Sequence, residues 1–315
     1  MPKNEIQHRY KAKSNDSLLY LSILAFVLIS TTALSLSGAV ETVVKYVYPP
    51  KVTKAYSDLP VLKEGAVYPI LSAQSVMAVD VVSGVTLYEK DPNKPLLPAS
   101  TTKIVTALVA IDTYELSQVL KVNKVGVEGQ KMGLVWGEEI KFIDLLNGLL
   151  IYSANDAAEV LADNHPGGRE LFIGLMNKKV KDLGLTHSHF TNPVGFDNGG
   201  QYSTTRDLVV VSKEAMKNPL FAEIVGTKEK IVRSVDGRIV HRLTNINRLL
   251  GEVPGVIGVK TGWTENAREN LVTYVVRDNR KVMTVVLGSS DRFGETKELI
   301  EWLFSNYSWE EVKPE

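Results

Sequence analysis

A serine and a lysine three positions apart stand directly before a long apolar run. Ser100 and Lys103 follow Pro98, and the stretch 104–111 behind them is almost wholly apolar. This pattern predicts a buried helix, on which residues three apart share one face and the lysine amine can approach the serine hydroxyl. Burial lowers the pKa of a lysine amine, so the pair predicts a serine nucleophile with a lysine base. The alternative is a serine that only caps a helix.

A Ser-Ala-Asn triplet lies between two predicted helices, 138–147 and 157–162. In an acyl-transfer reaction, Ser153 can pass a proton toward the leaving amine. The side-chain amide of Asn155 can hold both the lysine base and the backbone of a substrate. The triplet therefore predicts a second serine for catalysis and an amide for binding.

A Lys-Thr-Gly triplet ends a predicted strand over 255–262. Lys260 is a cation suited to a substrate carboxylate, and its charge is expected to lower the pKa of Lys103 by repulsion. Thr261 adds a hydroxyl for the same carboxylate. Gly262 has no side chain and leaves room for a substrate strand beside the strand edge. This triplet predicts the substrate-binding side of the site.

The pattern around the motifs indicates the elements that must position them. Alternating residues predict one hairpin over 75–89 and a second over 271–287. Helical periodicity lies between them at 170–183 and 208–216, and a last helix is predicted over 295–304. Strands at both ends with helices between them indicate one α+β domain, in which the N- and C-terminal strands share a sheet.

The composition along the chain predicts its domain organisation. Residues 1–17 are polar, and 18–40 form an uncharged apolar run, long enough for a bilayer span of about 20 residues. We predict a transmembrane signal anchor at 18–40, with 1–17 in the cytoplasm, because the run exceeds a usual signal-peptide core; a cleaved signal peptide is the alternative. A proline-containing stalk, 41–70, precedes a catalytic domain, 71–305, and a short tail, 306–315.

Charge, cysteine content and missing motifs argue against several classes of protein. The 315 residues contain 36 Lys and Arg against 36 Asp and Glu. The sequence therefore has no excess of basic residues that would indicate nucleic acid as a partner. The sequence has no cysteine, which excludes disulfides and Cys-ligated zinc. The pair His187 and His189 has no further ligands at metal spacing, which argues against a zinc peptidase. A Ser-His-Asp hydrolase is not supported either, because no G-x-S-x-G motif is present.

The three motifs stand in the order S-x-x-K, S-x-N, K-T-G, the set of penicillin-binding proteins and class A β-lactamases. Over residues 72–304 the sequence resembles the D-alanyl-D-alanine carboxypeptidases, the low-molecular-mass penicillin-binding proteins. The matching stretches are 87–90, 98–100, 153–158, 176–177, 183–185, 190–193, 202–208, 258–262 and 270–272. No convincing Glu-x-x-x-Asn element of a class A β-lactamase lies between the second and third motifs.

The resemblance implies a penicillin-binding protein fold, an α+β domain with an antiparallel sheet packed with helices and an all-helical subdomain. It implies a Ser100 acyl-enzyme that removes the terminal D-alanine from peptidoglycan stem peptides outside the cytoplasmic membrane, without metal or cofactor. It also implies covalent binding of β-lactam antibiotics, with the backbone N–H groups of Ser100 and Trp263 as oxyanion donors. The alternatives are a DD-endopeptidase, a class A-like β-lactamase and a non-catalytic peptidoglycan-binding relative.

Three residues depart from the family pattern. Ala154 replaces a frequent glycine, and we expect no effect from so small a change. Gln201 stands before Tyr202, where histidine is common. Arg268 follows Ala267, where glycine is usual, and this bulky cation is expected to reshape recognition of the leaving group or the carboxylate.

Overall fold

The structure is a computed structural model that describes residues 58–311. The predicted cytoplasmic segment, 1–17, the predicted transmembrane anchor, 18–40, and the stalk residues 41–57 lie outside the described residues. Within 58–311, none of the helices has the length and apolar character needed to span a bilayer.

The two predicted hairpins and the predicted helices are present among the described residues, together with several short strands and one short helix that the sequence did not predict. The strands of the described residues are β1 (Leu59–Leu62), β2 (Ser75–Asp80), β3 (Thr86–Lys90), β4 (Val119–Lys121), β5 (Glu139–Lys141), β6 (Glu229–Arg233), β7 (Val240–Thr244), β8 (Val256–Thr264), β9 (Arg268–Arg277), β10 (Arg280–Ser289) and β11 (Tyr307–Glu310). The helices of the described residues are α1 (Lys103–Thr113), α2 (Phe142–Ile151), α3 (Asn155–Asp163), α4 (Gly168–Asp182), α5 (Thr205–Met216), α6 (Pro219–Val225) and α7 (Arg292–Asn306), with a 3-10 turn at Ala99–Thr102 directly before α1.

The main sheet has five strands in the order β3-β2-β10-β9-β8, and every neighbouring pair is antiparallel. Strands β2 and β3 come from the first part of the described chain and the other three from the last part. The prediction that the two ends share a sheet is therefore confirmed. Strand β8 lies at the edge of this sheet and contains the Lys-Thr-Gly triplet.

Both faces of the sheet are covered, because successive side chains of a strand point to opposite faces. On strand β2, Val76 and Ala78 belong to a buried cluster with Leu299 and Leu303 of α7. Met77 and Val79, which alternate with them, belong to the larger cluster formed with the other helices. The sheet thus separates α7 from the helical part of the domain.

Helix α1 lies inside that helical part. Its residues 103–110 are all buried, and buried side chains of α2, α3, α4 and α5 join it in one core. A helix that is apolar on every face is stable only when surrounded in this way. The predicted buried helix behind the Ser-x-x-Lys motif is present, and it begins at Lys103, one tight turn after Ser100.

Two short strand pairs differ from the predictions. The helix predicted over 138–147 begins at Phe142, because Glu139–Lys141 pairs with β4 and buries Ile140 between two exposed neighbours. Strand β1 in the predicted stalk pairs with β11 in the predicted tail. The prolines suggested irregular chain there, whereas Leu62 packs against a buried cluster that includes Tyr307. Both ends of the described chain therefore pack on the catalytic domain.

Candidate active site

Ser100 lies in the 3-10 turn before α1, pressed between β8 and the loop at 194–197. The preceding residue, Ala99, has a φ of 47°, a left-handed conformation that is unfavourable for a residue with a side chain. Two glycines allow the close approach. A Cβ on Gly195 would overlap the Ala99 carbonyl oxygen, and a Cβ on Gly262 would lie 3.2 Å from the Ser100 nitrogen. Gly262 therefore makes room for the Ser100 turn, in addition to the room predicted for a substrate.

The Lys103 amine is fully buried and has three hydrogen-bond partners. It donates to Asn155 Oδ1 at 2.7 Å and to the Val194 carbonyl oxygen at 2.7 Å, and it lies 2.9 Å from Ser100 Oγ. An amide oxygen and a carbonyl oxygen can only accept hydrogen bonds. A neutral amine has two N–H groups and one lone pair, so both N–H groups face the two fixed acceptors. The lone pair is left for the Ser100 hydroxyl, which is the geometry of a general base.

The charge state of Lys103 supports the same role. Burial lowers the pKa of Lys103 from 10.5 to about 7, against the opposing effect of Glu159 and Asp156. Near neutral pH a large fraction of this amine is unprotonated and able to accept a proton. From the sequence, we expected repulsion from Lys260 to contribute to the low pKa of Lys103 in addition to burial. In the structure, burial is the main cause of this low pKa.

Asn155 is held on both sides of its amide. Its Oδ1 accepts from Lys103, and its Nδ2 donates to the Glu128 carbonyl oxygen at 2.8 Å. The Asn155 backbone N–H donates to the Gln130 carbonyl oxygen at 2.7 Å. The predicted contact with the lysine is present, and one of the two N–H groups of the amide predicted for the substrate backbone is bonded to the protein itself.

Ser153 and Lys260 form a second buried pair. Ser153 lies in the loop between α2 and α3 with a φ of 61°, and Lys260 Nζ donates to its hydroxyl at 2.7 Å. Lys260 also donates to the Thr261 carbonyl oxygen at 3.1 Å. Burial, followed by repulsion from Lys103 and Arg292, lowers the pKa of Lys260 far below its ordinary value. Since repulsion between two ammonium groups is mutual, the state in which only one of the two lysines is protonated is favoured over the state in which both are.

A cleft of about 860 Å³ joins the two pairs. The sequence-predicted residues that line it are Ser100, Ser153, Asn155, Thr261, Gly262 and Trp263. Lys103 and Lys260 lie behind this surface, 0% and 2% exposed, and reach it through the two serines. Trp263 is 61% exposed and follows Gly262, the residue at which a Cβ would lie 3.2 Å from the Ser100 nitrogen. The structure thus brings together every residue that the three motifs predicted.

Arg292 is a cleft residue that the sequence did not indicate. It stands at the start of α7, donates from Nη1 to the Gly262 carbonyl oxygen at 3.1 Å, and lies beside Glu269. Its Nε is buried without a partner among the described residues. No motif in the sequence indicates it, because it reaches Gly262 only when β8, β9 and β10 are paired in the sheet.

The three departures from the family pattern lie in different surroundings. Arg268 is exposed at the tip of the β8–β9 hairpin with a φ of 59° and does not line the cleft. The cation that does line the cleft is Arg292. Gln201 is buried and donates to the Phe196 carbonyl oxygen at 3.2 Å, so it supports one cleft wall. Ala154 is fully buried between the helices.

Comparisons with known proteins indicate one family. The profile of peptidase family S11, described as D-alanyl-D-alanine carboxypeptidase, matches residues 63–291. The chain is 34% identical over 245 residues to D-alanyl-D-alanine carboxypeptidase DacF of Bacillus subtilis, which covers 75% of this chain and 63% of DacF. It is 35% identical over 261 residues to D-alanyl-D-alanine carboxypeptidase DacB2 of Mycobacterium tuberculosis, covering 79% of this chain and 89% of DacB2.

A solved structure has the same fold. The crystal structure of the Streptomyces K15 DD-transpeptidase matches with a TM-score of 0.71 and 31% identity, covering 76% of this chain and 99% of that protein. The match supports the predicted α+β architecture with its antiparallel sheet. The chain spans somewhat less than two thirds of DacF and nearly all of the Streptomyces protein.

Proposed function

The chain belongs to the D-alanyl-D-alanine carboxypeptidase family, and from that premise we propose that it is a serine-type DD-carboxypeptidase. Its substrate is a peptidoglycan stem peptide ending in D-Ala-D-Ala, from which it removes the terminal D-alanine. The observation that best supports this proposal is the environment of Lys103. Two acceptors bind the two N–H groups of the neutral Lys103 amine, and its lone pair faces the Ser100 hydroxyl.

In the acylation step, Ser100 Oγ attacks the carbonyl carbon of the penultimate D-alanine and its proton passes to Lys103 Nζ. The backbone N–H groups of Ser100 and Trp263 stabilise the oxyanion of the tetrahedral intermediate. This proposal is supported by the position of the Ser100 nitrogen, which lies beside Gly262 of β8, the residue before Trp263.

The intermediate then collapses and the peptide C–N bond breaks. Ser153 passes its proton to the leaving D-alanine amine and takes one from Lys260, and its short bond to Lys260 supports this relay. A water molecule hydrolyses the Ser100 ester and releases the shortened peptide as a carboxylic acid. A β-lactam acylates the same serine by opening of its ring amide, and the product stays attached.

Recognition of the substrate carboxylate falls to the cationic end of the cleft. Thr261 supplies a hydroxyl, while Lys260 donates to the Thr261 carbonyl and Arg292 to the Gly262 carbonyl, so both residues can supply positive charge beside it. A bound carboxylate favours the protonated form of Lys260.

Transfer to an amine instead of water is the second candidate function. The Streptomyces K15 relative is named a DD-transpeptidase, and the same acyl-enzyme serves both reactions. A DD-endopeptidase also uses the same residues on a cross-linked peptide. Adding a free amino acid to the assay separates transfer from hydrolysis, since transfer yields a new peptide that mass spectrometry detects.

We also propose that residues 18–40 anchor the chain in the cell membrane with the catalytic domain on the extracytoplasmic side. The uncharged apolar run and its length support this proposal. Fractionation of cells expressing the full chain should place it in the membrane pellet. A chain recovered from the medium without its first 40 residues would support a cleaved signal peptide instead.

The proposed activity is tested by incubating the protein with a D-Ala-D-Ala-terminated stem peptide and measuring free D-alanine. The wild type should release it, and Ser100→Ala should not. Mass spectrometry after penicillin treatment should place one covalent adduct on Ser100. A folded wild-type protein that releases no D-alanine and gains no adduct would contradict the proposal, and rapid release of hydrolysed penicillin would favour a β-lactamase.

A further inference from the structure

One side-chain amide oxygen accepts hydrogen bonds from three consecutive backbone N–H groups close to Lys103. Asn192 Oδ1 accepts from the backbone of Val194 at 3.2 Å, of Gly195 at 2.7 Å and of Phe196 at 3.0 Å. Asn192 is 1% exposed, and its Nδ2 is bonded to the Phe196 carbonyl oxygen and to Asn198 Oδ1. Pro193 has no N–H, so the set of donors begins one residue later.

The opposite sides of the same peptide units are held by helix α1. A trans peptide unit is planar, with its C=O and N–H pointing in opposite directions. The Pro193 carbonyl shares a unit with the Val194 N–H and accepts from Thr106 Oγ1 at 2.7 Å. The Val194 carbonyl shares the next unit with the Gly195 N–H and accepts from Lys103 at 2.7 Å. Thr106 and Lys103 lie three residues apart on one face of α1.

We propose that Asn192 is a positioning residue for the general base. By holding the N–H side of these two peptide units, its amide oxygen aims the Val194 carbonyl at the Lys103 amine. That carbonyl is one of the two fixed acceptors that leave the amine only the Ser100 direction for its lone pair. Asn192 thus acts through a backbone group and touches neither the substrate nor the reacting atoms. This inference rests on the proposed function and deepens it.

A matched residue separates positioning from plain stabilisation. Asn177 is also an asparagine with a double amide contact, since it accepts from the Phe190 N–H at 2.8 Å and donates to the Phe190 carbonyl at 2.7 Å. It ties down the start of the same segment without a bond to Lys103 or to the 194–196 loop. Asn177→Ala is therefore the structural control for Asn192→Ala.

The experiment follows acylation of the full-length protein by a fluorescent penicillin across pH 5–10. Asn192→Ala should lower the acylation rate constant by about 10- to 100-fold, as expected when a catalytic group shifts by about 1 Å. The apparent affinity for the penicillin should stay unchanged. Asn177→Ala should lower the melting temperature and leave both the rate constant and the pH profile unchanged.

The conservative variant Asn192→Asp gives a readout that a purely structural role would not change. Its carboxylate keeps the three N–H bonds, loses the two bonds that the Asn192 amide donates to the Phe196 carbonyl and to Asn198, and should restore part of the rate at high pH. Its negative charge favours the ammonium form of Lys103, so the rising limb of the pH profile should move to higher pH. The other charged groups that act on the two lysines are Glu159, Asp156 and Arg292, and none of them is altered.

Thr106→Val keeps the proposal testable if Asn192→Ala does not fold. It removes the bond to the Pro193 carbonyl and preserves the side-chain shape, and it should slow acylation by a smaller factor. Wild-type rates and pH profiles in folded Asn192→Ala, or in Asn192→Asp and Thr106→Val together, would overturn the inference. An unlabelled wild type would instead refute the proposed function, so the two failures are distinguishable.

Discussion

Two buried lysines stand behind the cleft, and their surroundings differ. Lys103 lies on a helix, with two acceptors that cannot donate and one hydroxyl. Lys260 lies on the edge strand, with one hydroxyl and the carbonyl oxygen of its neighbour Thr261. An ammonium group has three N–H groups. The hydrogen bonds of the described residues therefore use the full capacity of Lys103 and leave Lys260 able to take one more acceptor.

This difference shows how one residue type serves two purposes in a single site. The amine of Lys103 is fixed in direction, which suits proton transfer to and from Ser100. The amine of Lys260 is bonded to the cleft residues Ser153 and Thr261 and keeps one N–H without an acceptor among the described residues, which suits a substrate anion. Both lysines are desolvated, so burial alone does not distinguish a base from a binding group. The number and kind of acceptors do.

The largest effect is expected from removing the Lys103 amine. Lys103→Met should slow penicillin acylation of Ser100 by about 10²- to 10⁴-fold, the usual contribution of a general base. Lys103→Arg should be as inactive, because a guanidinium stays protonated and has no lone pair to offer. Stopped-flow fluorescence with a labelled penicillin measures the rates. A rate within threefold of wild type in a folded Lys103→Met protein would break the distinction between the two lysines.

A smaller effect is expected at Lys260. Lys260→Met should reduce the rate of D-alanine release by about 10- to 100-fold, because both carboxylate binding and the relay through Ser153 lose the cation. Lys260→Arg keeps the charge and should recover part of the binding, visible as a KM closer to that of the wild type. Equal losses for Met and Arg at this position would contradict a binding role for the charge.

Arg292 should affect recognition more than chemistry. Arg292→Leu should raise the KM for a carboxylate-terminated peptide by about tenfold, about 1.4 kcal/mol of binding free energy. The reason is that its guanidinium lies beside Gly262 at the cationic end of the cleft. A peptide with an amidated C-terminus is the control substrate and should be equally poor with both proteins. An unchanged KM in Arg292→Leu would remove this residue from carboxylate recognition.

The smallest effect on chemistry is expected at Asp156, which follows Asn155 and holds the segment 132–134 directly behind the wall residues 128–130 of the cleft. Its carboxylate accepts from the backbone N–H groups of Met132, Gly133 and Leu134. Asp156→Ala leaves these groups unpaired and should reduce the free energy of unfolding by about 2–4 kcal/mol. Urea denaturation measures the loss. A stability equal to wild type would show that the wall is held by other contacts.

Much of the site could be predicted because its catalytic groups are side chains of particular types at particular spacings. The serine and lysine spacing, the inter-helix triplet and the edge-strand triplet indicated Ser100, Lys103, Ser153 and Lys260, and the structure places them around one cleft. The antiparallel sheet made from both ends of the chain was also predictable, since each hairpin has clear alternation.

The remaining features depend on groups that a residue pattern does not identify. The Val194 carbonyl is a backbone atom, and any residue at that position would supply it. The role of Arg292 depends on the register of β8, β9 and β10, which brings the start of α7 within reach of Gly262 only when the sheet is assembled. Strands β1 and β11 are only four residues each and depend on packing against the main domain, so proline content misled the prediction for the stalk, and the tail was predicted without a strand.

The central claim is that Lys103 is the base for Ser100, and the pH dependence of acylation tests it most directly. The base must be neutral, so the rate constant for penicillin acylation should rise with pH as Lys103 loses its proton. Since burial lowers the pKa of Lys103 to about 7, the midpoint of this rise should lie near pH 7. A rate that is independent of pH between 5 and 9, or a rise centred near the ordinary lysine value of 10.5, would contradict the account.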